Sequence, residues 1–167
     1  MSIEQSELRH AVTRNASARL TASRRVGQRA ASLCHSHHDR DLAIGLQQRL
    51  REQGVDVYID WQDKAMPAEP NRITAQRIQA VIKGCDLFLF LATANSAASR
   101  WCPWEIGYAD GVKRLDQIAI VPTRDSSGHH HGNEYLQLYR RIDQPVPHGS
   151  WYVYGPGSVA GTAITGI

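Results

Sequence analysis

Trp101 and Glu105 stand four positions apart in the segment Ser99-Arg100-Trp101-Cys102-Pro103-Trp104-Glu105-Ile106. On a helix, residues i and i+4 share a face, so an indole and a carboxylate can line one pocket. A carboxylate so placed can stabilise a glycosyl cation, by charge or by covalent capture, as an N-glycosidic bond breaks. The same pair also has a structural reading. Trp101 then packs in the core, and Glu105 complements the positive end of a helix macrodipole.

Other chemically able side chains are scattered along the chain, and each carries two readings. His35 and Ser36 can hydrogen-bond a ligand's hydroxyls or phosphate, or can shape a turn. Asp60 and Trp61 open a loop in which Asp60 can contact a ligand or cap the loop, and Lys64 can meet a phosphate or stand solvated. Asn95 and Ser99 can touch a ligand, or can form a turn and cap the helix that follows. His129-His130-His131 is a solvated loop rather than a metal site, because three consecutive side chains point different ways with no Cys or acid at ligand spacing. The sequence has no Walker-type phosphate loop, no dinucleotide glycine fingerprint and no serine nucleophile elbow.

The elements that must position these residues follow from apolar periodicity. Arg29 to His35 reads as a buried strand, and Asp39 as the N-cap of a helix bearing Leu42, Ile44, Leu46 and Leu50 and stopped by Gly54. Val55, Val57 and Ile59 alternate with Asp56 and Tyr58, which predicts a second strand ending at Asp60-Trp61. Ile73, Ile78, Val81 and Ile82 mark a second helix ending at Gly84. The unbroken run Leu87-Phe88-Leu89-Phe90-Leu91 predicts a strand buried on both faces. A polar loop over 93–99, a helix from about Trp101 to Lys113 and a strand at Ile118-Ala119-Ile120-Val121 follow. The tail is less regular, with a short apolar turn at Tyr135–Tyr139 and a last strand at Trp151–Tyr154. Strands alternating with helices imply an α/β three-layer sandwich of flavodoxin-like type: a mainly parallel sheet of about five strands with helices on both faces. Ligands of such sheets sit beyond the carboxyl ends of the strands, which selects His35–Asp39, Asp60–Pro70 and Thr93–Glu105 as the loops of interest.

The chain has 167 residues, 42% hydrophobic and 21% charged, enough for one domain with a sizeable core. No apolar run approaches the roughly 18 residues of a membrane span, so no membrane partner is expected. The net charge of +3 is unevenly placed. Between Glu7 and Asp39 there is no acid, whereas Arg9, Arg14, Arg19, Arg24, Arg25 and Arg29 all fall there. This predicts a basic N-terminal arm over 1–28, helical or disordered, in which Leu8, Val12, Ala16 and Leu20 form a thin stripe with little to bury. The arm lacks the interleaved aromatics of a single-strand binder, which makes nucleic acid an unfavoured partner. Cys34, Cys85 and Cys102 are read as reduced thiols of a cytoplasmic protein. Residues 155–167 are read as a flexible tail.

Three segments together resemble one family. Leu33-Cys34-His35-Ser36-His37-His38-Asp39 is similar to the first-strand signature of Toll/interleukin-1 receptor (TIR) domains. Val57-Tyr58-Ile59-Asp60 is similar to the strand before the family's BB loop, and Trp101-x-x-x-Glu105 resembles the pattern of TIR domains that consume NAD. Glu134 to Tyr139 is also similar to a late segment of bacterial relatives, so the resemblance spans about residues 29–154. It implies the TIR fold and cleavage of the nicotinamide–ribose bond of NAD, with Glu105 as the catalytic residue. The products would be nicotinamide and ADP-ribose or a cyclic ADP-ribose isomer. NAD would be a substrate, with no cofactor, and Trp101, His35, Ser36, Asp60, Trp61, Lys64 and Asn95 would bind it. The resemblance further implies homo-oligomers through TIR–TIR contacts, another defence protein or effector as a partner, and a role in bacterial antiphage defence. Two other functions fit the same pattern: a non-catalytic TIR interaction module, and a nucleoside 2-deoxyribosyltransferase-like enzyme, which has a related α/β architecture and also uses a glutamate at C1 of a sugar. The chain departs from many relatives at Cys34, where they carry Ser, and at His35, where they carry Tyr. It also departs in Lys64-Ala65-Met66-Pro67-Ala68-Glu69-Pro70, which lacks the glycine-containing loop apex of signalling relatives.

Overall fold

The unbroken apolar run becomes the strand β4 (Leu87–Ala92), in which every residue is buried. Alternation divides its side chains between two cores: Leu87, Leu89 and Leu91 face one layer of helices, and Phe88, Phe90 and Ala92 face the other. The computed structural model describes residues 2–18, 29–67, 69–132 and 137–164.

Around β4 lie β2 (Arg29–Cys34), β3 (Val55–Tyr58), β5 (Ile118–Arg124) and β7 (Arg140–Asp143). They pair in the order β3-β2-β4-β5-β7, all parallel. β8 (Tyr152–Tyr154) and β9 (Gly161–Ala163) extend this edge antiparallel. β1 (Ile3–Glu4) and β6 (His130–His131) both pair with the end of β5. The connections from β2 to β3, β3 to β4 and β4 to β5 are helical: α2 (Arg40–Glu52), α3 (Arg72–Gly84) and α5 (Cys102–Val112). Parallel neighbours require such crossovers, and helices on both faces explain why the central strands show no polar face. On one face, Leu42, Leu46 and Leu50 of α2 share a core with Leu33, Val57 and Leu89. On the other, Ile78 and Ile82 of α3 and Ile106 and Ala109 of α5 share a core with Phe88, Phe90, Ile118 and Ile120. The expected three-layer α/β architecture, with its mainly parallel sheet, is therefore the fold observed.

Helix boundaries follow local chemistry. Asn71 caps α3, accepting from the N–H groups of Ile73 and Thr74 while Thr74 Oγ1 accepts from the Asn71 N–H. Gly54 closes α2 with φ +85°, a conformation glycine adopts without a Cβ penalty. Ser99 Oγ accepts from the N–H groups of Trp101 and Cys102 and so opens α5, the capping alternative for that residue.

The structure corrects the sequence reading at four places. Residues 3–18 are no loose arm with little to bury, because α1 (Gln5–Ala18) packs on α2 and leaves Ile3, Leu8 and Ala11 fully buried. Its contact is so close that a Cβ at Gly45 of α2 would lie 1.9 Å from the Leu8 carbonyl oxygen. The arginines at 19, 24 and 25, and Leu20, lie outside the described residues. Second, the expected polar loop over 93–99 contains a short helix, α4 (Ala94–Ala98), opened by a capping box between Thr93 and Ser96. Third, β7 was hidden by its sequence, Arg-Arg-Ile-Asp. Its charges are met locally: Arg140 donates to the Asp116 carbonyl, and Arg141 donates to the Ser158 carbonyl and lies over the Tyr154 ring. Fourth, the expected flexible tail holds β9 and a buried Ile164. Of the apolar turn expected at 135–139, residues 133–136 lie outside the described residues.

Candidate active site

β2 and β3 end side by side, and their last residues deliver the first polar groups. Leu33 is buried, and the chain leaves the sheet at His35, whose Nδ1 lies 3.1 Å from the Leu33 carbonyl oxygen. A carbonyl only accepts, so Nδ1 carries the proton, and in the neutral ring Nε2 carries the lone pair. Nε2 faces the Asp60 carboxylate, just past β3, at 3.6 Å. The His35 side chain is 4% exposed and that of Asp60 is 42% exposed, so the imidazole is the inner member and the carboxylate the rim. Trp61 closes over the pair, edge-to-face with His35 at 4.4 Å between centroids, with the Arg40 guanidinium 5.2 Å from the indole centroid.

From the opposite side, α5 brings Glu105 to the same pocket. Its walls are Ser32, Tyr58 and the α3 side chains Ile78, Val81 and Ile82, together with His35, Asp60 and Glu105. The cavity they line measures about 20 Å³, room for about one water molecule. The pocket lies at the carboxyl ends of β2 and β3, beside the point between β2 and β4 where strand order reverses.

Charge in this pocket is set by burial. Burial holds the Glu105 carboxyl well above the usual carboxylate range. The neighbouring Cys102 thiol and the Asp60 charge push the same way, and a hydrogen bond with the Cys34 thiol opposes them. Burial also lowers His35, against the attraction of Asp60. The Cys34 thiol is raised, chiefly by burial, whereas a hydrogen bond from Cys34 lowers Cys102. The three cysteines are free and buried. A neutral imidazole and a high-lying carboxyl in one partly apolar pocket form a proton-handling set, the pairing of shifted groups that marks active sites.

The predicted site residues are drawn together only in part. Glu105, His35 and Asp60 share the pocket, and Trp61 flanks it. Trp101 is not among the pocket-lining residues: it packs half-buried against the Phe88–Ile106 core, edge-to-face with Trp104. Ser36 is buried and accepts from the His38 N–H, which shapes the turn into α2. Asn95 donates to Asp39 Oδ1 at 2.6 Å, and Thr93 Oγ1 donates to Asp39 Oδ2 at 2.6 Å. Asp39 therefore stands at the predicted N-cap position of α2 but uses its buried carboxylate to hold the loop after β4. Lys64 is exposed and is not among the pocket-lining residues. Tyr58 was missed as a pocket wall. Its place in the alternation of β3 marked it as facing away from the main core, and only the arrival of α3 turns that face into the pocket.

Beyond the site, residues 32–145 match the family model described as the TIR domain. The chain is also 36% identical, over 111 residues, to a protein named probable 3' cyclic ADP-D-ribose synthase ThsB' from Bacillus cereus (strain MSX-D12). That match covers 64% of this chain and 56% of the relative, so the chain spans little more than half the length of the curated relative. The family match takes in the second half of β2, all of β3, β4, β5 and β7, and every residue lining the pocket, so by sequence and by fold the chain belongs to the TIR domain family.

Proposed function

We propose that this chain cleaves the nicotinamide–ribose bond of NAD, with the Glu105 carboxylate at the ribose C1 carbon. The observation that carries the reading is the convergence of Glu105 with His35 and Asp60 in one pocket at the carboxyl ends of β2 and β3. The similarity to a probable 3' cyclic ADP-D-ribose synthase supports it and favours a cyclic product over plain hydrolysis. As the C–N bond breaks, its electron pair leaves with nicotinamide, and positive charge develops on the ribose. A carboxylate held in a largely dry pocket stabilises that charge more than water can. The cationic pyridinium of bound NAD favours the ionised form of a carboxyl that burial otherwise keeps protonated, so substrate binding itself prepares Glu105. The resemblance extends the reading to an antiphage role and to activity that depends on TIR–TIR assembly.

Purified protein incubated with NAD over a range of protein concentrations tests this, with nicotinamide, ADP-ribose and cyclic products resolved by chromatography and mass spectrometry. Wild type releases nicotinamide, and Glu105→Gln loses at least about 10²-fold of that rate, the scale of one removed electrostatic contact to the transition state. Release in the variant at the wild-type rate overturns the site assignment. No release in any assembled form moves the chain to the interaction-module reading, and transfer of the sugar from a 2'-deoxynucleoside to a free base in a parallel incubation, with NAD left intact, moves it to the transferase reading.

A further inference from the structure

His35 is buried just past the end of β2, and its setting is that of a base. The Nδ1–H is committed to the Leu33 carbonyl at 3.1 Å, which fixes the tautomer and leaves the Nε2 lone pair on the side of Asp60, which lines the pocket with it. At 3.6 Å the Asp60 carboxylate is too far for a hydrogen bond and has no proton to give, so Nε2 is an acceptor without a donor there. Once protonated, the ring gains an ion pair with Asp60. The groups facing it are Asp60 beyond β3, Asp39 and Arg40 at the start of α2, the Trp61 ring, and Glu105 of α5 across the pocket. This arrangement resists a resting positive charge through burial and welcomes one at the moment of proton transfer.

We infer that His35 is the general base of the second half of the reaction, taking the proton from the hydroxyl that attacks the ribosyl carbon. The inference rests on the NAD-cleaving reading above. In the first half, the C1–N bond breaks, and nicotinamide leaves with the electron pair while Glu105 faces the ribosyl cation. In the second, the acceptor oxygen, from water or from a hydroxyl of the same substrate, bonds to C1. Its proton passes to Nε2, and the imidazolium then releases that proton to solvent past the rim carboxylate of Asp60. Bonds and charges balance: NAD and an O–H acceptor give the O-linked ribosyl product, nicotinamide and one proton. A cyclic product with a hydroxyl-derived linkage needs such a base, because an alcohol is a poor nucleophile until its proton has somewhere to go.

Exchange of isotopically labelled nicotinamide into NAD separates the two halves, because it requires cleavage and re-formation of the C1–N bond but no acceptor deprotonation. His35→Asn keeps an amide donor near the Leu33 carbonyl and removes the base. Its expected behaviour is a ratio of O-linked product formation to exchange that is lower than in wild type by about 10²-fold or more, whatever the variant does to exchange itself. In wild type, the ratio of product formation to exchange falls as pH drops through the imidazole's titration, which lies below its ordinary value near 6.5; in the variant the ratio is flat. That wild-type ratio needs no variant to fold. Exchange and product falling together in His35→Asn, or a wild-type ratio that does not fall at any acid pH at which the protein stays folded, overturns the role of His35 while leaving the NAD-cleaving reading intact. Absence of both exchange and nicotinamide release in wild type overturns that reading and this one with it.

Discussion

Glu105 shows how a single side chain is placed against its own stability. Burial raises its carboxyl, so the folded chain holds that proton to higher pH than the unfolded chain does. Stability from this group is therefore fully present below the unfolded value near 4.3 and declines as pH rises toward the folded value. Each pH unit crossed in that window removes at most about 1.4 kcal/mol, or roughly 3–5 °C of Tm for a chain of this size. Glu105→Gln does not titrate. It should match wild type in Tm near pH 4 and exceed it by several degrees at pH 8, while losing activity. Differential scanning calorimetry of both proteins across that range checks this, and a Tm difference that does not widen with pH refutes the buried, high-lying carboxyl.

Among the elements, α1 and α2 make the most restrictive contact. A methyl group at Gly45 would sit 1.9 Å from the backbone oxygen of Leu8, a position that no rotamer change relieves. Alanine adds about 1 kcal/mol of helix propensity over glycine, but overpacking costs about 1–3 kcal/mol and more when backbone must move, so the clash wins. Gly45→Ala should lower Tm by several degrees, and hydrogen exchange should show α1 losing protection while β4 keeps its own. An unchanged Tm would mean that α1 does not lie on α2 as closely as described. The loop after β4 illustrates the opposite case, rigidity from polar contacts. Asp39 takes the Thr93 hydroxyl and the Asn95 amide at 2.6 Å each, tying the start of α2 to the segment that leads into α5. Glu105 and His35 are thereby held by elements joined to one another rather than by independent loops.

At the scale of the whole molecule, the two ends of the described chain close on each other. Glu7 of α1, itself buried, accepts from Arg49 of α2 at 3.2 Å and from Gln144 beyond β7 at 3.1 Å, and lies 3.5 Å from His148. Gln144 in turn accepts from the Trp151 indole N–H. Removing one partner from a buried charged network leaves the others unsatisfied, at about 3–5 kcal/mol when the charge is fully buried. Arg49 retains some exposure and a second acid, Glu52, so Glu7→Ala should cost less, about 2–3 kcal/mol, with Glu7→Gln intermediate. Urea denaturation with an unchanged m-value checks the sign and size. A neutral outcome would mean that the termini are held by Ile3 and Leu8 packing alone.

The central layers of this fold were legible in the chain because period and burial coincide there: an all-apolar β4 can only be a strand covered on both sides, and α2 and α3 end where their glycines stand. The three motif segments also placed Glu105, His35 and Asp60 at strand or helix ends before any contact was known, since parallel topology alone sends those ends to one rim. The rest needed tertiary structure. β7 carries three charged residues of four, and its pairing with β5 becomes intelligible only when Asp116, Ser158 and Tyr154 are seen to receive those charges. α1 has a thin apolar stripe, and what it buries depends on a glycine on another helix. Helical spacing put Trp101 and Glu105 on one face, yet the indole packs half-buried against the α5 core while the carboxylate lines the pocket, because packing partners decide where a shared face points. Asp39 read as a helix cap, and Asn95 as a turn former or ligand contact, until the distance between them made each the other's partner. Residue types and period determined the layers and the rim. Which rim residues face the open pocket, and which are consumed in holding it, was decided by contacts between segments distant in sequence, which no local pattern records.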